Sequence, residues 1–170
     1  MSSLDIDLAI QRISLQIMEK NHEGDEMAIV GIHTCGVYVA QRIHAYIEQQ
    51  TAQSVSLGSL DINLYRDDWS LMSQNPVVKT TDIPFDVDNT NLVLVDDVIF
   101  TGRTIRAAMD AIMDYGRPTT IQLAALVDRG GRELPIQPGF TGLHATILQN
   151  ERITVRMDAD GPGCEVVIEN

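Results

Sequence analysis

The sequence predicts an α/β protein with a central, mostly parallel β-sheet flanked by helices. The apolar runs at 27–32, 91–95 and 121–127 (MAIVGI, NLVLV and IQLAALV) have the length and continuity of strands that are buried on both faces. Residues 37–50 and 103–115 follow the first two runs and have the length of helices. Because strands that alternate with helices usually form parallel sheets, this order indicates βαβ units.

The chain begins with a predicted amphipathic helix over residues 4–20. Ile6, Ile10, Ile13 and Ile17 recur at helical spacing, with polar residues between them. This spacing gives the helix one apolar face that can pack against the sheet.

A further strand and a long loop are predicted before the central apolar run. Within residues 55–65, LDINLY alternates apolar and polar positions, which is typical of a strand. The following segment, 66–89, is polar, contains Pro76 and Pro84, and shows no periodicity. Because segments of that length without regular structure often serve as lids or binding loops, we expect a flexible loop over about residues 66–82.

The C-terminal half is rich in turn residues. The helix in the middle of the chain is predicted to end at Gly116 and Pro118. The segment 128–142, DRGGRELPIQPGFTG, is dominated by turn-forming residues, and no strand is predicted in it. Two β segments, around 153–157 and 164–169, end the chain.

Length and composition favour one globular domain. The 170 residues are 44% hydrophobic and 21% charged, close to the averages of soluble globular proteins. Because no linker or repeat interrupts the pattern, residues 1–170 are expected to form a single domain. No apolar run approaches the about 18 residues of a membrane-spanning helix, and the N-terminus lacks the charge pattern of a signal peptide. We therefore expect a cytoplasmic protein without a membrane partner.

Charge and cysteine content disfavour several classes of function. Twelve Lys and Arg stand against 24 Asp and Glu, and the net charge of −12 repels polyanions unless the bases lie on one face. Cys35 and Cys164 are spaced neither as metal ligands nor as a redox pair. Nucleic-acid binding is therefore not the default expectation, and neither is a zinc site.

Residues 95–104, VDDVIFTGRT, form the most informative motif of the chain. In parallel sheets, ligands bind where strands end, and the first turn of the next helix offers free backbone N–H groups to anions. Gly102 allows an anion to approach the backbone, and the hydroxyls of Thr101 and Thr104 can donate to phosphate oxygens. The motif therefore predicts a monophosphate site.

Two adjacent carboxylates precede this turn. Asp96 and Asp97 are acceptors suited to the hydroxyls of a sugar or to the water ligands of a metal ion. Together with the phosphate site they describe a ribose 5-phosphate. The acidic strand of a P-loop NTPase is a competing interpretation, but the chain has no G-x-x-x-x-G-K-[ST] and no G-x-G-x-x-G. Ordinary N-cap chemistry is the other alternative.

Longer motifs resemble a known family. LVLVDDVIFTGRT resembles the phosphoribosyl pyrophosphate (PRPP) motif of type I phosphoribosyltransferases. Residues 60–68, 95–118 and 121–136 are similar to the PyrR family of bifunctional pyrimidine-operon regulators and uracil phosphoribosyltransferases, and residues 30–43 fit the same family. The resemblance extends from Leu4 to about Glu169 and weakens after Pro138.

The resemblance implies a fold, a reaction and partners. The fold would be that of a type I phosphoribosyltransferase, with a flexible loop and a small hood. Uracil and PRPP would give UMP and pyrophosphate, with Mg²⁺ carried by PRPP rather than bound directly by protein ligands. Uridine nucleotides would control binding to a pyrimidine-operon leader mRNA, and the protein would form a homodimer or a higher homo-oligomer.

The resemblance also implies roles for individual residues. The catalytic candidates are Asp96 and Asp97, on the ribose hydroxyls, and Arg66, on pyrophosphate. The substrate-binding candidates are Thr34, Cys35 and Gly36 in the pyrophosphate turn; Tyr65 and Asp67 at the loop; Val98, Thr101, Gly102, Arg103 and Thr104 in the PRPP motif; and Asp128 and Arg129 in the hood, which spans residues 127–132. Arg12, Lys20 and Arg132 are the RNA-binding candidates.

The sequence departs from the family pattern at two places. The pyrophosphate turn usually reads T-R-G, whereas Cys35 replaces the arginine in this chain. A thiol cannot form the charge-assisted bonds of a guanidinium, so we expect reduced turnover that Cys35→Arg would raise. Gly131 and Gln137 replace two family positions with cationic potential, which weakens the RNA expectation. Cys35 keeps open the alternative function of a non-catalytic uridine-nucleotide sensor.

Overall fold

The computed structural model of the protein describes residues 1–21, 26–51, 54–67, 80–148, 150–157 and 164–170. Helices and strands alternate along most of this length. The elements are α1 (Ser3–Lys20), β1 (Met27–Ile32), α2 (Cys35–Gln50), β2 (Ser56–Leu60), a 3₁₀ turn (Asn63–Tyr65), β3 (Asn91–Ile99), α3 (Arg103–Met113), β4 (Thr120–Asp128), β5 (Phe140–His144), β6 (Arg152–Arg156) and β7 (Glu165–Glu169).

Five strands form one parallel sheet in the order β2-β1-β3-β4-β5. In register, Val30 of β1 lies beside Leu94 of β3, and Val95 of β3 lies beside Ala124 of β4. The predicted α/β class with a mostly parallel central sheet is therefore confirmed. The two predicted final β segments are confirmed as β6 and β7, which form a separate antiparallel pair.

Helices cover both faces of the sheet. One buried cluster joins residues of α1 and α2 to the sheet, and a second joins residues of α3 to its other face. α1 confirms the predicted N-terminal helix. Its apolar face is buried through Ile6, Ile10, Ile13 and Ile17, and its start is fixed by a capping box between Ser2 and Asp5. The sheet is thus enclosed, which explains the continuous apolar character of its central strands.

The predicted strand over 55–65 is too long. β2 ends at Leu60, because its partner strand β1 ends at Ile32, the residue in register with Leu60. The chain then forms the 3₁₀ turn, in which the N–H of Tyr65 donates to the carbonyl of Ile62 at 2.9 Å. The strand that the alternation in LDINLY predicts was therefore wrong beyond Leu60.

Two other boundaries differ from the sequence prediction. β5 begins in the segment interpreted as turns only; it is short and directly follows Pro138 and Gly139, which hid its pattern. α3 ends at Met113 rather than at residue 115, because the N–H groups of Asp114 and Tyr115 bond three residues back in a tighter turn.

The predicted flexible loop over 66–82 falls mostly on residues 68–79, which lie outside the described residues. Where the description resumes, Asp82 and Ser59 exchange backbone hydrogen bonds of 2.7 and 2.8 Å, which ties the chain to the edge strand β2. Within the described part of the chain, no helix is long and apolar enough to cross a membrane.

Candidate active site

A cavity of about 570 Å³ opens at the carboxyl end of β3. This is the edge at which parallel sheets bind ligands, and α3 begins there. Its lining consists of the end of β3, the turn after it and two residues from the start of the loop segment: Asp96, Val98, Ile99, Phe100, Thr101, Gly102, Arg103, Thr104, Ile105, Arg66 and Asp67. The fold therefore brings most of the predicted PRPP-motif residues into one cavity.

Asp96 lies inside β3, which continues through Ile99 beyond the apolar run that predicted it. Its side chain is buried, and burial raises the pKa of its carboxyl well above the usual value, with the charge of Asp97 raising it further. Arg66 acts in the opposite direction and favours the charged form. One Asp96 oxygen accepts the N–H of Asp97 at 3.0 Å, which fixes its orientation. A buried carboxyl of this kind is suited to a ligand that donates hydrogen bonds.

The turn between β3 and α3 has the shape of an anion site. Gly102 has φ +92°, a conformation that L side chains rarely adopt, which explains the glycine. The Thr101 hydroxyl accepts the N–H of Arg103 at 3.3 Å, and the Gly102 carbonyl accepts that of Arg106 at 2.9 Å. Because α3 begins at the cavity lining, its first backbone N–H groups and the positive end of its dipole lie at the cavity.

Arg103 joins this turn to two other segments. Its Nε donates to Glu133 at 2.7 Å, and its Nη1 donates to Asp67. The hydrogen bond to Glu133, followed by that to Asp67, raises the pKa of Arg103 above its usual value. The backbone N–H groups of Glu133 and Leu134 also donate to the Thr101 carbonyl, at 3.0 and 3.1 Å. The segment after β4 is therefore bonded directly to the turn.

The predicted pyrophosphate turn lies at the start of α2. Thr34 precedes the helix, and Cys35 and Gly36 form its first turn. Gly36 packs so tightly against β3 that a Cβ atom would lie 2.6 Å from the carbonyl oxygen of Val95. The fold therefore places this turn beside Asp96.

The Cys35 side chain contacts other parts of the protein. Its half-buried thiol donates to the carbonyl of Val155 in β6 at 3.5 Å, and its side chain packs against the cluster beneath α1 and α2. The neighbouring His33 ring lies 3.2 Å from the Thr80 carbonyl oxygen.

The hood residues follow β4. The guanidinium of Arg129 lies 3.8 Å over the Phe100 ring, and its Nη2 donates to the Glu151 carbonyl at 3.1 Å. Gly131 has φ +75°, and a Cβ atom there would lie 2.5 Å from the same ring. Asp128 accepts the N–H of Gly130 at 2.8 Å. The position of Phe100 therefore requires glycine at residue 131, although the family pattern has a residue with cationic potential there.

Several predicted residues contact other parts of the protein. The Tyr65 hydroxyl donates to Asp114 beyond the end of α3, and this hydrogen bond raises the pKa of Tyr65. Arg12 donates to the Gly142 carbonyl, and the Lys20 ammonium lies 5.4 Å from the centroid of the Phe140 ring. None of these positions tests the proposed roles, which stay predictions.

Sequence reasoning missed Phe100 and Glu133 as site residues. Phe100 is 41% exposed and lines the cavity although it is a large apolar residue. An aromatic residue in a turn between a carboxylate pair and a phosphate motif was the available signal. Glu133 had no such signal, since its contact with Arg103 spans 30 residues of sequence.

Comparisons with known proteins define the class. Residues 3–160 match the model of the phosphoribosyl transferase domain, and the chain belongs to that family. Solved hypoxanthine-guanine phosphoribosyltransferases share the fold. One from Bacillus anthracis has a TM-score of 0.69 at 18% identity, covering 90% of this chain and 84% of that one. The hypoxanthine phosphoribosyltransferase of Trypanosoma cruzi has a TM-score of 0.65 at 11% identity, covering 89% and 82%.

Relatives with higher sequence identity define the family more narrowly. A protein of Syntrophobacter fumaroxidans named Bifunctional protein PyrR is 46% identical over 99% of this chain and 91% of its own length. A Geobacter sulfurreducens protein of the same name is 50% identical over 95% and 91%. Within the phosphoribosyl transferase domains, the chain therefore belongs to the PyrR family, as its motifs predict, and has the type I phosphoribosyltransferase fold.

Proposed function

We propose that the protein is a uracil phosphoribosyltransferase, which converts uracil and PRPP to UMP and pyrophosphate, and that it also regulates pyrimidine-operon transcription by binding leader mRNA. One observation carries the enzymatic proposal. A buried carboxyl, Asp96, lines the same cavity as the anion-binding turn of residues 101–104. This combination matches the two ends of a ribose 5-phosphate, namely sugar hydroxyls and a phosphate.

The 5-phosphate is assigned to the turn before α3. The hydroxyls of Thr101 and Thr104, the backbone at Gly102 and the start of the helix all offer hydrogen bonds to an anion. Arg103 adds a guanidinium that contacts Asp67 and Glu133. Because these pairs are half-exposed, they are weak enough to exchange for a phosphate.

The ribose hydroxyls are assigned to Asp96 and Asp97. The raised pKa of Asp96 reflects a charge that is poorly solvated, so hydroxyl donors from a sugar would stabilise its ionised form. Val98 lies on the cavity wall next to this pair and would limit the space beside the sugar.

Pyrophosphate is assigned to Thr34, Cys35 and Gly36, with Arg66 facing it from the loop. The first turn of α2 supplies backbone donors and the positive end of a helix dipole, which favour an anionic leaving group. Arg66 and Asp67 line the cavity at the start of the predicted loop, whose residues 68–79 lie outside the described part of the chain.

Mg²⁺ is proposed to arrive with PRPP. Among the described residues no three His, Cys, Asp or Glu side chains form a group that could hold a metal ion alone. The adjacent Asp96 and Asp97 are suited to outer-sphere contacts with the ion, since carboxylates accept hydrogen bonds from the water ligands of Mg²⁺. The ion would supply charge neutralisation for the leaving group, while the side chains of this protein orient the sugar.

Uracil is assigned to the hood. Asp128 is the last residue of β4 and Arg129 follows it, with its guanidinium over the ring of Phe100, which lines the cavity. Uracil is small and planar, so backbone groups of residues 128–131 can form hydrogen bonds with the polar atoms on its edge. Tyr65 is proposed to act at the start of the loop, where its hydrogen bond to Asp114 would hold the chain against the end of α3.

Leader-mRNA binding is the second proposed activity, supported by membership of the PyrR family. Arg12 and Lys20 are the proposed contacts; the side chain of the third candidate from the sequence, Arg132, is only 11% exposed and is bonded within the protein. With a net charge of −12, affinity would depend on a local basic face and fall steeply with salt. A homo-oligomer would bring the basic side chains of two copies together, and a cytoplasmic location would give access to PRPP and RNA.

The test is UMP formation from uracil and PRPP, with and without Mg²⁺. Hypoxanthine, guanine and orotate serve as competing bases. Turnover that needs Mg²⁺ and is specific for uracil supports the enzyme. UMP binding without any turnover would instead favour a nucleotide sensor. RNA binding is tested separately, by titrating a pyrimidine-operon leader RNA at several salt concentrations with and without UMP.

A further inference from the structure

Arg132 is almost completely enclosed, and its side chain is 11% exposed. Its Nε donates to the Ile136 carbonyl at 2.9 Å, and its Nη1 donates to the Phe100 carbonyl at 2.9 Å. Its Nη2 lies 2.8 Å from Asp128 and 3.4 Å from the Gln137 amide oxygen. All three nitrogen atoms of the guanidinium therefore contact the protein itself.

The contacts of Arg132 belong to two different parts of the cavity. The carbonyl of Phe100 immediately precedes Thr101, the first residue of the proposed phosphate site. The carboxylate of Asp128 ends β4 and orients the hood through the N–H of Gly130. One guanidinium thus spans the segment assigned to the phosphate and the segment assigned to the base.

The charge and shape of the Arg132 guanidinium make this bridge between the two segments difficult to replace with another side chain. The side chain of Asp128 is 9% exposed, so its carboxylate is poorly solvated and depends on bonded partners. The other basic side chain near this carboxylate is that of His144, whose Nδ1 lies 3.5 Å away and whose side chain is 79% exposed. A planar guanidinium can bond the carboxylate and two carbonyls at once, which an ammonium cannot do at the same geometry.

We propose that Arg132 is a positioning residue of the transferase site, which fixes the distance between the phosphate-binding turn and the base-binding hood. The proposal rests on the proposed function. In the reaction the 5-phosphate anchors one end of the ribose, and the base must reach C1 at the other end. A misplacement of about 1 Å between such anchors can lower a rate about 100-fold.

This role separates Arg132 from the exposed arginines of the chain. Its N–H groups are directed inward, so binding RNA phosphate through them would require breaking the bridge. Arg106 provides the contrast, because its guanidinium is 43% exposed and pairs with Asp110 one turn along α3. Arg106→Met is therefore the matched control for loss of an arginine charge.

The test compares ligands that contact only the phosphate-binding turn or only the hood with UMP, which spans both of these anchors. Titration calorimetry would measure binding of ribose 5-phosphate, uracil and UMP to wild type, Arg132→Met, Arg132→Lys and Arg106→Met. Because UMP must satisfy both anchors at once, Arg132→Met should weaken UMP at least about tenfold more than ribose 5-phosphate. The kcat should fall more than the KM for PRPP rises, with Arg132→Lys intermediate and Arg106→Met unchanged.

Contrary results would be easy to recognise. Equal loss of all three ligands in Arg132→Met would indicate general damage to the fold, and unchanged binding would show that the bridge does not position the site. Either result overturns the proposal. If Arg132→Met does not fold, Arg132→Lys keeps the charge beside Asp128 and the same comparison decides. Wild-type protein that neither binds UMP nor forms it contradicts the proposed function itself, before any variant is compared.

Discussion

Gly36 at the start of α2 and Asp96 in β3 are in direct backbone contact. A Cβ atom on Gly36 would lie 3.1 Å from the Cα of Asp96 and 2.6 Å from the carbonyl oxygen of Val95. The proposed pyrophosphate turn and the proposed ribose site can therefore lie this close together only because residue 36 has no side chain.

Gly36→Ala should lower both stability and activity. The atoms in the way belong mainly to the backbone of β3 and cannot rotate aside, so relief requires separation of α2 from the sheet. We expect a loss of about 1–3 kcal/mol in the free energy of unfolding, measured by urea denaturation, and a higher KM for PRPP. Gly139→Ala is the matched control, since its nearest neighbours lie at 3.7 and 3.8 Å and leave room for a methyl group. Equal stability of the two variants would contradict this close packing.

Asp96→Asn should abolish turnover and stabilise the ligand-free protein at neutral pH. Because the pKa of Asp96 is raised in the folded state, its favourable contribution to stability is complete below the unfolded pKa of 3.8 and is lost as pH rises through the folded pKa. Asparagine does not ionise and avoids this loss. We therefore expect the free energy of unfolding of the variant to exceed that of wild type at pH 8.

The control for this prediction is pH itself. Urea denaturation at pH 4 should show a smaller difference between Asp96→Asn and wild type than denaturation at pH 8. A difference that is the same at both pH values would mean that ionisation of Asp96 does not affect stability.

Gly102→Ala should impair PRPP binding more than stability. At φ +92° an alanine is strained, and the strain costs about 1 kcal/mol. Neighbouring side chains lie at 3.5 Å or more, so the methyl group itself fits in the ligand-free protein. The loss in affinity, measured by titration with PRPP, should exceed the stability loss because the backbone of the turn is proposed to touch the phosphate.

Asn89→Ala is the comparison for that variant. Asn89 also has a positive φ, 61°, and it lies before β3, outside the cavity lining. A similar stability loss with normal PRPP affinity is expected for it. If both variants lose affinity equally, the turn at Gly102 has no special contact with the ligand.

Cys35→Arg should raise turnover with uracil and PRPP. The guanidinium could bond pyrophosphate in ways that a thiol cannot, and the helix start already favours an anion there. Some stability should be lost, because the Cys35 thiol contacts Val155 and packs against the core. Steady-state kinetics would measure the effect, with Cys35→Ala as the variant that removes the thiol without adding charge. An unchanged rate in Cys35→Arg would reject the idea that Cys35 limits activity.

Local patterns were sufficient for most of the fold. The spacing of Ile6, Ile10, Ile13 and Ile17 predicted α1 because a helix buries every third or fourth residue on one face. The apolar runs predicted β1, β3 and β4 because central parallel strands are buried on both sides. β5 was missed because five residues between turn signals carry too little periodicity, and their pairing with β4 depends on residues distant in sequence.

The PRPP motif was predictable for the same reason, since residues 95–104 are contiguous and their chemistry is local. What only the tertiary structure decided is how distant segments meet at that motif. Contacts of Arg103 with Glu133, of Arg132 with Phe100 and of Gly36 with Asp96 span 30, 32 and 60 residues of sequence, respectively. The sequence by itself determined the family and the chemical groups. Burial, which sets the pKa of Asp96, and the long-range bonds that fix the distances between those groups arise only when the sheet assembles.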